Sequence, residues 1–124
     1  MYKNTVELKK LTKSRIRRRI RKKISGTSDR PRVYFFKSNR YLYAQVVDDT
    51  EGKVILSAST LEKEFREKQK NTKNVKSSEA LGKILAQRLR DKKIKQIVFD
   101  RGIYPYHGKV KALAEAIRKE GIQF

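Results

Sequence analysis

The sequence predicts an α/β domain: a mixed sheet of about four strands, an antiparallel meander plus one crossover strand, with helices packed on it and a basic N-terminal arm. Three observations carry that expectation. Apolar residues alternate with period two over residues 32–59. They recur at helical spacing over residues 81–89 and 110–117, and positive charge is concentrated before residue 30. The expected organisation is an arm over residues 1–29 and a globular α/β domain over residues 30–124.

The arm is the first element. Residues 1–30 hold twelve lysines and arginines against two acids, half of the chain's net +20. Ile16, Ile20 and Ile24 recur every four residues and mark one narrow helical ridge. A helix so densely charged repels itself and has only that ridge to bury. It is therefore expected to be partly disordered alone and helical against a polyanion. Ser25, Gly26, Thr27, Ser28 and Asp29 form a hinge, and Pro31 stops a continuing helix.

Three strands follow, at Arg32–Lys37, residues 41–48 and Lys53–Ser59, rich in Val, Tyr, Phe and Ile. Ser38-Asn39-Arg40 and Asp49-Thr50-Glu51-Gly52 are short enough to turn them into hairpins. The Ser59 to Glu62 spacing fits a capping box opening a short helix with Leu61 and Phe65 four apart. Residues 71–74 read as a loop. Ser77 or Ser78 then caps a longer helix whose Leu81, Ile84, Leu85 and Leu89 share a face. Residues 96–100 read as a fourth strand. Gly108 opens the last helix, with Val110, Leu113, Ala114 and Ile117 on one face. Gly121 supplies its left-handed C′ position, and Ile122 folds back. The order β-β-β-α-β-α reaches the last strand through a crossover, which places it parallel to an earlier one.

One sheet face is expected to bury Val33, Phe35, Leu42, Ala44, Val46, Val54, Leu56 and Ala58 beneath the helices. The other carries Tyr34, Phe36, Tyr41, Tyr43, Gln45 and Ser57. Composition narrows the function. At 124 residues the chain holds one small core. Absence of cysteine excludes thiolate chemistry, and the single histidine, His107, excludes a multi-histidine metal cage. No apolar run approaches the roughly 20 residues that span a bilayer, and no apolar leader opens the chain, so a soluble, intracellular protein is expected. A pI near 10.4 calls for a polyanionic partner. Aromatic and hydroxyl groups on a sheet face beside a basic arm suit RNA, because rings stack on bases and hydroxyls reach 2′-OH groups. Cross-strand pairing, or cover by the N-terminal segment, accounts for the same rings.

Residues 99–110 run from a strand end into a helix and read as a recognition loop. Gly102 permits a tight turn, Pro105 stiffens the middle, and Gly108 leaves a helix N-terminus open. Arg101 and Lys109 flank it with charge, while Tyr104, Tyr106 and His107 offer stacking faces. Asp100 suits backbone N–H groups better than a metal.

These motifs resemble a known family. Arg30-Pro31-Arg32-Val33, Tyr43-Ala44-Gln45-Val46, Ala58-Ser59-Thr60-Leu61-Glu62-Lys63, Phe99-Asp100-Arg101-Gly102, Tyr106-His107-Gly108, Val110-Lys111-Ala112-Leu113-Ala114 and the final Phe124 are similar to bacterial-type large-subunit ribosomal protein number eighteen. That family binds 5S rRNA in the central protuberance. The sequence departs from it at Ile103, where glycine is common, and at Lys109, where a forked arginine is common.

The resemblance implies a ribonuclease H-like motif without its chemistry, and therefore no enzyme, cofactor or metal. It implies 5S rRNA and the large-subunit rRNA as partners, with large-subunit proteins five and, in some bacteria, twenty-five as neighbours. The location implied is the large subunit of a cytoplasmic or organellar ribosome. It carries over Arg15, Arg17, Arg18, Arg19 and Arg21 as arm residues on RNA, with the neighbouring cations Lys13, Lys22, Lys23 and Arg30. On the domain it carries over Arg32, Tyr43, Arg101, Tyr106, His107 and Lys109.

Other readings fit less. The related nucleases place an acid on the first strand, where Val33-Tyr34-Phe35-Phe36 has none. Asp48, Asp49 and Glu51 read as turn residues. A membrane-surface helix needs a broad apolar face with Trp or Phe, which the arm lacks. A free-standing regulator that binds duplex RNA by shape accounts for the charge but not for the family motifs. If the arm and loop neutralise about 6–10 phosphates, affinity for RNA falls about 10³–10⁵-fold between roughly 50 and 200 mM salt. A filter-binding salt titration checks this, and a flat profile refutes it.

Overall fold

In a computed structural model, which describes residues 14–16, 18–19, 25–68, 74–102 and 104–124, alternation in the first half of the chain becomes a meander. Strands β1 (Arg32–Lys37), β2 (Leu42–Asp48) and β3 (Lys53–Ser59) pair antiparallel in succession. Helices α1 (Lys63–Lys68) and α2 (Val75–Asp91) follow, then β4 (Val98–Asp100), then α3 (Lys109–Lys119). The crossover lays β4 parallel to β1, giving the sheet order β3-β2-β1-β4. This is the mixed four-stranded sheet with packed helices that the sequence predicts. Beyond the three-residue β4, Gln96 continues the edge only as an isolated parallel bridge to Gln123.

Val33, Phe35, Leu42, Ala44, Val46 and Ala58 point inward from the sheet and meet Leu81, Leu85 and Leu89 of α2 and Val110, Leu113 and Ile117 of α3. Gly121 adopts φ +93°, and Ile122 is buried as expected.

Three expectations need correction. Val54 is not in the core: it is 52% exposed. Val46 pairs with Leu56 but Val47 pairs with Val54, so Ile55 is the extra residue of a β-bulge. Beyond a bulge the side chains exchange faces. Leu61 is likewise exposed, and of the apolar pair assigned to the short helix only Phe65 enters the core. Glu62 does not turn back to close a capping box either. Its carboxylate receives Arg88 as a fork, at 2.9 and 2.7 Å, while the same guanidinium donates to the Ser57 carbonyl. That bond set ties α2 to the end of β3.

The third correction concerns the start of α2. Asn74, expected to be loop, is the N-cap, its side chain accepting from the Ser77 N–H at 2.8 Å. Ser77 and Ser78 lie inside the first turn and are buried. The Ser77 hydroxyl donates to the Asn74 carboxamide oxygen, and the Ser78 hydroxyl donates to the Lys109 carbonyl, joining α2 to the start of α3. Of the expected loop over residues 71–74, residues 71–73 lie outside the described residues.

The two long helices meet at Gly82. A Cβ there would stand 2.8 Å from the Ala116 Cβ and 2.9 Å from the Leu113 carbonyl oxygen. Helix propensity alone makes Gly82→Ala stabilising by about 1 kcal/mol. Overpacking of this kind costs about 1–3 kcal/mol, so the contact wins. Thermal melts of Gly82→Ala are expected to show a lower midpoint than the parent chain.

Candidate nucleic-acid interface

The loop after β4 begins at a buried charge cluster. Arg32 is only 6% exposed, although it lies on the sheet face away from the helices. Its Nε and Nη2 donate to Asp49 at 2.9 and 3.1 Å, and its Nη1 donates to Asp100 at 2.8 Å. Burial opposes the guanidinium charge. The hydrogen bonds to Asp49 and Asp100 outweigh it, so the pKa stands above its ordinary value. Asp49 also accepts from the Gly26 N–H at 2.8 Å, and Asp100 from the Gly102 N–H at 2.8 Å. Asp100 thus holds backbone as the sequence predicts. Asp49 is more than the turn residue expected, whereas Asp48 does serve the turn, accepting from the Thr50 N–H and hydroxyl.

From there the loop runs beside the second half of β1. Gly102 takes φ +61° against the Tyr34 ring. Arg101 Nη1 donates to the Tyr104 carbonyl at 2.7 Å, and the His107 N–H to the Pro105 carbonyl at 2.8 Å. Tyr104 lies edge-on to Phe35 with centroids 5.8 Å apart. Arg101, Tyr106 and His107 are exposed and Lys109 is half-buried. Tyr106 also has a seat on the fold, since its hydroxyl accepts from Arg118 at 3.3 Å.

Of the expected arm cations, Arg15, Arg18 and Arg19 are exposed on helical backbone. Lys13, Arg17, Arg21, Lys22 and Lys23 lie outside the described residues, as do Ile20 and Ile24 of the ridge. Arg30 is exposed beyond the hinge, its Nε 3.4 Å from the Ile97 carbonyl. Tyr43 is half-buried and stacks on Phe36 at 4.8 Å and 6°, which in turn stacks on Tyr34 at 5.5 Å. Three rings of the outer face, Tyr34, Phe36 and Tyr43, thus stack in a row.

Arg32 stands apart from the other candidates, because its donors are committed to carboxylates inside the fold. Sequence reasoning missed its partners, and it also missed Lys37, whose Nζ sits 5.2 Å over the Tyr104 ring. The signal for Lys37 was present: it ends β1 on the same face as Val33 and Phe35, and so meets whatever closes that end of the core.

A family model described as "Ribosomal L18 of archaea, bacteria, mitoch. and chloroplast" matches residues 7–124. The chain belongs to this ribosomal L18 family. Similar relatives are the large ribosomal subunit protein uL18 of Dictyoglomus thermophilum, 55% identical over 106 residues (86% of this chain and 87% of the relative), and that of Thermotoga petrophila, 49% identical over 118 residues (95% and 97%). The L18 match spans the loop, the charge cluster and all four strands.

The geometry separates scaffold from surface within this L18 chain. Arg32→Ala leaves two carboxylates without their cation and is expected to cost about 3–5 kcal/mol of stability in chemical denaturation. Arg18→Ala and Arg19→Ala, at exposed positions, are expected to change stability by less than about 0.5 kcal/mol.

Proposed function

We propose that this member of the ribosomal L18 family is a structural constituent of the large ribosomal subunit, that it binds 5S rRNA, and that it helps attach that RNA to the large-subunit rRNA. Its protein neighbours on this reading are large-subunit proteins five and, in some bacteria, twenty-five, and its location is the cytoplasmic ribosome. Its role is binding and not catalysis. The carboxylates of Asp48, Asp49 and Asp100 are engaged with the fold. No helix among those residues is long and apolar enough to cross a membrane.

The observation that carries the reading is the loop over residues 101–109. It is clamped by backbone and guanidinium bonds, yet it presents Arg101, Tyr106 and His107 to solvent. A surface fixed before binding suits recognition of one RNA fold. Residues 1–29 act as an arm whose cations contact phosphates and carry little sequence information.

Neutralising Arg15, Arg18 and Arg19 together is expected to weaken binding to 5S rRNA and to an unrelated folded RNA by similar factors. Tyr106→Ala with His107→Ala is expected to cost about 1–3 kcal/mol per lost stacking contact on 5S rRNA and to spare the unrelated RNA. Fluorescence titrations measure both. Because Tyr106 also receives Arg118, melts accompany the titrations. A loss of stability matching the loss of binding would make these two residues scaffold.

A further inference from the structure

The loop closes over one end of the core and leaves a cavity of about 270 Å³ there. Its walls are apolar: Phe35 from β1, Val75 from the first turn of α2, and Val110 from the first turn of α3. Tyr104 and Pro105 roof it, and Lys37, His107 and Lys109 supply its polar rim. Phe35 is buried and the Tyr104 ring is held edge-on against it at 74°, while Arg101 grips the Tyr104 carbonyl, so the aromatic wall is fixed before any ligand arrives. Val75 is 45% exposed at the mouth.

We propose that this cavity receives a single unstacked nucleotide of the bound RNA, the base against the rings of Tyr104 and His107 and its phosphate against Lys37 and Lys109. The proposal rests on the RNA-binding function above and names a subsite within it. Three features select this occupant. The volume lies just below the range that accepts drug-sized ligands, which suits one base with its sugar. Every base has an apolar π-face that stacks on rings, and single-stranded loops and bulges splay such bases out. The charge is complementary: among the described lining residues there is no carboxylate and there are two lysines. A phosphate attracts the two ammonium groups at the rim, whereas an apolar side chain from a neighbouring protein would meet only the walls.

The test uses the full-length chain with methyl-labelled valine and leucine. Adenosine and uridine 5′-monophosphates are expected to give saturable shifts at the methyls of Val75 and Val110 but not at exposed Leu61, and inorganic phosphate is expected to give none. Absence of nucleotide shifts, or equal shifts with phosphate alone, overturns the proposal. Val75→Glu then places a carboxylate at the mouth, where the N-terminal dipole of α2 favours it, so folding is not expected to suffer. Its affinity for 5S rRNA is expected to fall about five- to a hundredfold, with an unrelated RNA bound as before. Val75→Glu bound to 5S rRNA like the parent chain overturns the subsite while the RNA-binding function stands. The same result with poor incorporation into reconstituted large subunits assigns the cavity to a protein neighbour. Failure of the parent chain itself to bind 5S rRNA overturns both.

Discussion

One guanidinium, that of Arg32, bonds at once to carboxylates from two distant parts of the chain. Through Asp49 it holds the β2–β3 turn and the hinge at Gly26; through Asp100 it holds the end of β4 and the start of the loop. A charge taken so far out of water is tolerable only with its donors filled. That condition propagates outward. A Cβ on Gly26 would stand 2.3 Å from the Arg32 backbone nitrogen, so the hinge must be glycine for the segment to lie against the cluster. Asp100, oriented by Arg32 on one oxygen, uses the other to turn the chain at Gly102, and the direction in which the loop leaves the sheet follows.

Legibility in the sequence tracks the range of the interactions involved. Strands β1 and β2, the last helix and its glycine stop were readable because period-two alternation, helical spacing and C′ chemistry are all local. The parallel crossover was readable from element order. The bulge was not, because Val54, Ile55 and Leu56 are apolar in succession and alternation cannot tell which residue is extra. The cap of α2 was misplaced because Asn74, Ser77 and Ser78 all have capping side chains, and only the helix packing against Lys109 settles which one lies outside. In the candidate site the exposed loop residues were legible as a cluster. The role of Arg32 was hidden among the other cations, since its carboxylate partners lie 17 and 68 residues away.

The charge that suits the chain to RNA also works against its compact state. A net +20 on 124 residues repels itself, and one sheet face with two long helices must offset that repulsion. The cores of α2 and α3 are accordingly tight, with backbone and small side chains in contact at Gly82 and Ala116. Acids are placed where they neutralise cations of the fold: Glu62 against Arg88 and Glu120 against Arg90. Such half-exposed pairs contribute little singly.

On the proposed RNA-binding role, affinity and recognition fall to different segments. A cation of the arm set against a phosphate would gain by releasing counterions, a term indifferent to sequence. The loop lost its freedom on folding, when Asp100, Arg101 and Pro105 accepted or donated its clamping bonds. Contacts made there reach the binding free energy with little ordering cost, and a wrong RNA meets a surface that does not adapt to it. The buried cluster at Arg32 holds the start of that surface in place, so on this proposal the discrimination among RNAs would depend on a cation that stays within the fold.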